Sequence, residues 1–250
     1  MKFFSILPLF FFCCTLFSQS VKEKVPAFFG LQYKVVLPGD FIAPSSITLE
    51  NQSLITQFKL SSAFSFGAIT RIGISKLLSL ETGINQVKRK YIIDFQHIDS
   101  SLTGNSKLSV INYDIPINWM VYVPLSKQFF MNASLGVSFV FFPSNVATLD
   151  TTQFGRFIAE GRRLSHFGGT LNANMGFEFR SKKLGFFYIG CSGIIPFKNI
   201  YKVASAYVYV NQTQYLSTGY LNGAYLSIDL RYYLPNIAKK GGGLPDGPIK

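Results

Sequence analysis

The chain contains two histidines, and each has hydroxyl or carboxyl side chains close to it in the sequence. These neighbours are Ser165 beside His166, and Asp94, Asp99 and Ser100 around His97. A serine, a histidine and an acid in contact can hydrolyse an ester or a peptide bond, so a hydrolase is one hypothesis. Adjacent residues of a strand point to opposite faces, however, and no feature of the sequence brings the two regions together. We therefore predict that the protein is not an enzyme and that both histidines are solvated loop residues.

Other reactive motifs are missing from the sequence. It has no His-Glu-x-x-His, Cys-x-x-Cys, phosphate-loop or Gly-x-Ser-x-Gly pattern. We therefore predict no catalytic, metal or cofactor-binding residues. The formal net charge of +12 would suit a nucleic acid, but no nucleic-acid-binding motif accompanies it, and we predict no such partner.

A second group of candidate functional residues consists of charged side chains inside segments that alternate between apolar and polar positions. Four are cations and four are anions: Lys34, Arg71, Arg180 and Arg231, with Glu81, Asp114, Glu178 and Asp229. All lie on the polar side of the alternation, among glycine, serine and asparagine. If that side is an interior, the charges must be paired, because an unpaired buried charge is very costly. We predict a network of salt bridges that plugs this interior.

The alternation itself is clearest between Leu108 and Phe142, where two long arms flank the turn at residues 124–128. This pattern predicts a β-hairpin, since successive side chains of a strand point to opposite faces. Each arm exceeds the roughly 9 to 11 residues that a tilted strand needs to cross a bilayer.

Similar segments recur along the chain and give eight predicted strands. They cover residues 28–37, 62–75, 78–95, 108–123, 129–142, 170–180, 184–197 and 220–234. Short turns with Ser-Lys sequences, at Lys76, Lys127 and Lys182, alternate with long irregular loops at 38–61, 97–107, 143–169 and 198–219. An even number of strands, short periplasmic turns and longer extracellular loops are typical of outer-membrane barrels. We predict an all-β fold, an eight-stranded antiparallel up-and-down transmembrane β-barrel.

The residues of the polar face favour this barrel over a soluble one. They are mostly glycine, serine and asparagine, which fit the narrow interior of eight strands better than a solvated exterior. At this strand number we expect no open diffusion pore. The alternative is a secreted soluble barrel that binds an apolar ligand, which would require the apolar faces to point inward.

Nine aromatic residues fall near the predicted strand ends, where aromatic girdles meet the membrane interfaces. They are Tyr91, Trp119, Tyr122, Phe129, Phe130, Phe141, Phe142, Tyr232 and Tyr233. Ordinary strand aromatics would give the same pattern, so both interpretations stay open. Candidate contacts to the phosphates of lipopolysaccharide are the basic residues Lys88, Arg89, Lys90, Arg156, Arg162 and Arg163. Solvated basic loops are the alternative.

The first twenty residues have the order of a secretory signal. Lys2 precedes an apolar run from Phe3 to Phe17, and Ser18-Gln19-Ser20 follows as a small-residue cleavage region. A lipid anchor on Cys13 or Cys14 is a rival interpretation. We predict a signal peptide at 1–20, a barrel domain at 21–234 and a flexible tail at 235–250.

Pro116 lies inside the fourth predicted strand and predicts a bulge or a locally open strand pair, because proline cannot donate a ladder hydrogen bond. The stretch Tyr113-Asp114-Ile115-Pro116, followed by a short turn and a strand centred on Gly136, resembles the Tyr-x-Glu-Ile-Pro region of PorT-like outer-membrane β-barrel proteins. The signal peptide, the strand rhythm and the final strand extend the likeness to this and other small barrels of the OmpA and OmpX type. Asp114 stands where the PorT-like proteins usually have glutamate.

The resemblance implies an integral protein of the outer membrane of a Gram-negative bacterium, exported with cleavage of the signal peptide. Its expected partners are outer-membrane lipid and lipopolysaccharide, the barrel-assembly machinery and, in some relatives, secretion-system proteins. We expect a structural, adhesive or assembly role exerted through the surface loops. The alternatives are an accessory part of a type IX or gliding secretion machine and a hydrolase at the barrel rim that acts on lipid.

Overall fold

The computed structural model describes residues 27–37, 42, 44–51, 53–75, 77–99, 101–152, 155–181, 183–209 and 214–235. The predicted signal peptide and residues 236–250 of the predicted tail lie outside this part of the chain. The described residues form thirteen strands: β1 Ala27–Leu37, β2 Ser46–Asn51, β3 Leu54–Gly73, β4 Leu78–His97, β5 Leu102–Pro124, β6 Phe129–Phe141, β7 Val146–Thr151, β8 Gly155–Arg163, β9 Phe167–Ser181, β10 Gly185–Pro196, β11 Tyr201–Tyr209, β12 Gln214–Leu221 and β13 Tyr225–Tyr233.

Eight of these strands close into a ring. The larger sheet has nine strands in the order β1-β13-β10-β9-β6-β5-β4-β3-β2, and β1 also pairs with β3. Since β2 pairs with β3 outside that closure, 9 − 1 = 8 strands form the ring. Every neighbouring pair is antiparallel. The predicted eight-stranded up-and-down barrel is confirmed.

The apolar sides of the ring strands point outward. Leu31 is 65% exposed, Met175 61% and Trp119 53%, whereas Gln32, Asn118 and Asn174 next to them in sequence are buried. This distribution contradicts the soluble-barrel alternative, which required the apolar faces to line the interior. A belt of exposed large apolar side chains is what a lipid bilayer demands of a closed barrel. No helix in the described part of the chain is long and apolar enough to cross a membrane.

Most residues of the predicted irregular loops form further strands. Residues 143–169 contain β7 and β8, and residues 198–219 contain β11 and most of β12. The loop expected at 97–107 is shorter, because β4 ends at His97 and β5 begins at Leu102. The last ring strand begins at Tyr225 instead of Tyr220. These segments are short, so their local pattern is weak. The pairs β7–β8 and β11–β12 are neighbours in the sequence, but the β8–β11 pairing and the apolar core join segments that are far apart in the chain.

These added strands build a second layer above the barrel, which we call the loop sandwich. It consists of β2, β7, β8, β11, β12 and residues 54–60, 91–97 and 102–110 of β3, β4 and β5. The sheet β12-β11-β8-β7 faces the extended parts of β3 to β5 across an apolar core that includes Phe58, Ile93, Phe157 and Tyr207.

Side chains join the edges of the two sheets of the loop sandwich. Asp150 of β7 accepts a hydrogen bond from the Asn105 amide of β5 at 3.0 Å. At the other edge, Asn51 of β2 donates to the Leu216 carbonyl of β12. These contacts cover strand edges that would otherwise offer unpaired backbone groups.

Candidate functional site in the barrel interior

The eight predicted network residues all face the barrel interior. Each occupies one of the alternate positions of its strand at which the side chains point inward. Seven of them form one continuous chain of ion pairs with alternating charge. In order, the contacts are Lys34–Asp229 at 3.3 Å, Asp229–Arg231 at 3.0 Å, Arg231–Glu81 at 2.7 Å, Glu81–Arg71 at 3.4 Å, Arg71–Glu178 at 2.5 Å and Glu178–Arg180 at 2.6 Å. Each carboxylate in this chain bridges two cations.

Aromatic rings pack against the guanidinium groups of this ion chain. The Arg71 guanidinium lies 3.9 Å from the centroid of the Tyr233 ring, and the Arg180 guanidinium lies 4.1 Å from that of Phe130. The Tyr233 hydroxyl also donates a hydrogen bond to Glu81. Rings in these positions attract the guanidinium cation through their negative faces and fill the space beside it. Ions and aromatic rings together occupy the interior at the end where the short turns lie.

This packing corrects part of the predicted aromatic girdle. Trp119 and Phe129 are exposed on the barrel exterior, and Phe141 and Tyr232 are half-buried there. The other five residues point inward and are buried: Tyr91, Tyr122, Phe130, Phe142 and Tyr233. In each adjacent pair, such as Tyr232 and Tyr233, one side chain must face in when the other faces out.

Asp114 is the network residue that stands apart from the ion chain. It accepts a hydrogen bond from the Asn85 side-chain amide at 3.2 Å. Within the described residues, its Oδ1 atom has no hydrogen-bond partner and no salt bridge reaches the carboxylate.

The other residues of the 113–116 motif are divided between the two faces of β5. Tyr113 and Ile115 are exposed on the exterior, where the Tyr113 hydroxyl accepts a hydrogen bond from Gln86 at 3.1 Å. At Pro116 the β4–β5 ladder is interrupted between the pairs Thr82–Ile117 and Asn85–Asp114, and the register is the same on both sides. Pro116 therefore marks a locally open pair rather than a bulge.

The six candidate lipopolysaccharide contacts do not lie in one place. Lys90, Arg156 and Arg162 are exposed, and Lys88 and Arg163 are half-buried. Arg89 departs from the expectation, because its side chain is buried inside the barrel and 4% exposed. The alternation contains the signal that identifies it: Arg89 follows Glu81 by an even number of residues on β4, so both face inward.

A cavity lies between the ion chain and the loop sandwich. Its floor includes Lys34 and Arg231, and its upper wall includes Phe142 and Ile200. Arg89, Asp114 and several amide and hydroxyl side chains form the rest of its lining. Its empty volume is about 580 Å³, part of it open to solvent.

The two histidines occupy different surroundings. His97 is buried at the end of β4, with its ring 5.2 Å from that of Tyr207, so its prediction as a solvated loop residue was wrong. His166 is exposed as predicted, and its Nε2 lies 2.8 Å from the Arg163 guanidinium.

The serine and two of the acids that a hydrolase would need each accept a hydrogen bond from a group other than a histidine. Ser165 accepts from the Phe167 amide at 3.3 Å, Asp99 accepts from Ser53, and Asp94 accepts from Asn105 at 2.6 Å. Ser100 lies outside the described residues. Across the part of the chain that the structure covers, no group of three or more histidine, cysteine or acidic side chains could hold a metal ion.

A closed ring of eight antiparallel strands, apolar outside and ionic inside, defines the fold class of the small outer-membrane β-barrels. Comparison with solved structures finds the same fold. The chain is similar to the outer membrane protein OprG from Pseudomonas aeruginosa, with a TM-score of 0.53 and 12% sequence identity over 86% of this chain and 98% of that one. At this identity the likeness shows the fold alone. No family model and no curated protein matches the sequence.

Proposed function

We propose that the protein is an integral protein of the Gram-negative outer membrane that holds the loop sandwich at the cell surface by means of a closed barrel. Its role is then structural, adhesive or in assembly, and it does not act as an open diffusion channel. The observation that carries the proposal is the ion chain, whose three carboxylates and four cations block the interior of the ring at the end where the short turns lie. Eight-stranded barrels are wide enough for side chains to fill them.

The location in the outer membrane is supported by the exposed apolar belt and by the fold shared with OprG. Export would remove residues 1–20, and the barrel-assembly machinery would insert the ring. Lipopolysaccharide phosphates would be the partners of exposed basic residues such as Lys90 and Arg162.

Membership of the PorT-like proteins stays a prediction, because it rests mainly on residues 113–116. A place in a type IX or gliding secretion machine depends on that membership and remains an alternative. The hydrolase alternative gains no support from the surroundings of His97 and His166.

Conductance in a planar lipid bilayer tests the closed barrel. The parent protein should insert without a steady ohmic conductance. A triple variant, with Arg71→Ala, Glu178→Ala and Arg180→Ala, should conduct, since it removes three adjacent members of the ion chain. A parent protein that conducts as a stable open pore would overturn the proposal.

Gel mobility of an outer-membrane fraction tests the location independently. An unboiled sample in mild detergent should run as a compact, fast band that slows on boiling. Recovery of the protein in the soluble periplasmic fraction, without a mobility shift, would contradict the membrane assignment.

A further inference from the structure

The position of Arg89 changes the charge balance of the interior. The inward-facing charged residues of the ring are now five cations and four anions among the described residues. The cations are Lys34, Arg71, Arg89, Arg180 and Arg231, and the anions are Glu81, Asp114, Glu178 and Asp229. The difference, 5 − 4, leaves one positive charge without a counterpart.

Arg89 is the cation whose contacts are with neutral groups. Its Nη1 donates to the Asn112 side chain at 2.5 Å, and its Nη2 donates to the Gly223 carbonyl at 3.4 Å. Its guanidinium lies 5.0 Å from the centroid of the Tyr225 ring. Its Nε has no hydrogen-bond partner among the described residues. The other four cations each contact a carboxylate, and a buried charge without one is costly.

The cavity beside Arg89 has further donors that face it. Ser65 is 1% exposed, lines the cavity, and has a hydroxyl without a hydrogen-bond partner in the described part of the chain. Lys34 also lines the cavity and is directly opposite Ser65 in the β1–β3 ladder. The cavity has room for a few waters or a small ion.

We propose that this cavity binds a small monovalent oxyanion, a carboxylate of about the size of acetate, with Arg89 as its main ligand and Ser65 and Lys34 as further donors. A guanidinium offers paired donors that match a carboxylate, and a low-dielectric site strengthens the contact. A single negative charge balances the interior. The Asp114 carboxylate, which also lines the cavity, disfavours an ion with two negative charges. This site goes beyond the proposed function, since a closed barrel does not require it.

Thermal unfolding of the purified, folded protein in detergent tests the site. Sodium acetate should raise the unfolding midpoint more than the bulky sulfonate of 2-(N-morpholino)ethanesulfonate at equal pH and ionic strength, because a ligand that binds the folded state stabilises it by mass action. Sodium sulfate stabilises folded proteins in general, so its specific effect is the rise in the parent protein minus the rise in Arg89→Met or Ser65→Ala. At the same ionic strength this difference should be smaller for sulfate than for acetate. Equal effects of acetate and the bulky sulfonate in the parent protein, or a larger difference between parent and cavity variants with sulfate than with acetate, would overturn the proposal.

Two variants and a control locate the effect. Arg89→Met should lose the specific response to acetate, and Ser65→Ala should reduce it, which keeps the test decisive if the first variant does not fold. Arg156→Met removes an exposed arginine of β8 and should keep the full response. An undiminished acetate response in both cavity variants would show that the anion acts elsewhere and would overturn the assignment.

Discussion

Glu178 joins two arginines in the barrel interior. It accepts from Arg71 at 2.5 Å and from Arg180 at 2.6 Å, and its side chain is fully buried. Glu178→Gln keeps the shape but removes the charge that both arginines share. We expect a loss of about 3–5 kcal/mol in the free energy of unfolding, because the variant leaves buried cations uncompensated. Urea unfolding of the barrel in lipid vesicles measures this loss.

The exposed pair Arg162–Glu160 provides the matched control. Their charged atoms lie 3.2 Å apart, but the side chains are 74% and 43% exposed. Glu160→Gln should change the free energy of unfolding by about 0–1 kcal/mol, since water screens this pair. If Glu178→Gln and Glu160→Gln lowered the free energy of unfolding by similar amounts, the interior charges would be well solvated and the ion chain would not stabilise the barrel.

Tyr91 gives the loop sandwich a dependence on alkaline pH. Burial raises the pKa of its phenol above the ordinary value of 10.0, although Arg89 nearby lowers that pKa in part. Because the pKa of Tyr91 is higher in the folded than in the unfolded state, its contribution to stability is complete below about pH 10. This contribution is lost as the pH rises through the pKa of the folded state. Proteolysis of the sandwich should therefore accelerate above pH 10, and Tyr91→Phe should weaken this pH dependence. An unchanged profile in the variant would contradict the assignment to Tyr91.

The residue pattern allowed most of the interior to be predicted. The two-residue period places the eight charged residues on one face without knowledge of the fold. Arg89 also lies at an inward position of this alternation. It stands between Lys88 and Lys90, however, and a run of three basic residues suggested that all three side chains lie at the surface. The pairing partners could not be predicted, because Glu81 and Arg231 are separated by 150 residues in the sequence.

The strands of the loop sandwich depend on contacts between distant segments. Phe157 of β8 is fully buried, and its ring centroid lies 5.0 Å from that of Phe95 and 4.5 Å from that of Tyr207. These three residues come from separate segments that the sequence placed partly in irregular loops. Ring strands, in contrast, have long uninterrupted alternation, which explains why their existence was predictable and the sandwich was not.

Phe157→Ala should destabilise the loop sandwich by about 3–5 kcal/mol, the usual cost of removing a buried phenylalanine ring. The barrel should stay folded, because its ion chain and apolar belt do not include Phe157. Limited proteolysis should therefore cut the sandwich faster, while the heat-dependent gel shift of the barrel persists. Leu149→Ala, at a side chain of β7 that is 55% exposed, is the control and should leave the cleavage rate near that of the parent. Loss of the gel shift in Phe157→Ala would show that barrel and sandwich fold as one unit.

At the scale of the whole molecule, the direction of the apolar face decides which solvent surrounds the barrel. The alternation alone fits a soluble or a membrane barrel, and closure of the ring places the apolar side outward. Met175 lies near the centre of β9 and is 61% exposed, so it should contact the middle of the bilayer. Leu149 is a similarly exposed apolar side chain, but it belongs to the loop sandwich.

Arginine at these two positions therefore separates a membrane barrel from a soluble one. Met175→Arg should cost about 2–4 kcal/mol in a lipid bilayer, since a cation at the midplane loses its hydration. Leu149→Arg should change the stability by less than about 0.5 kcal/mol, as is usual for a surface substitution. The single tryptophan, Trp119, is 53% exposed on the belt and reports unfolding by its fluorescence in vesicles. Equally small changes in the stability of Met175→Arg and Leu149→Arg would mean that water covers the belt. A larger loss of stability in Met175→Arg alone would place the ring within lipid.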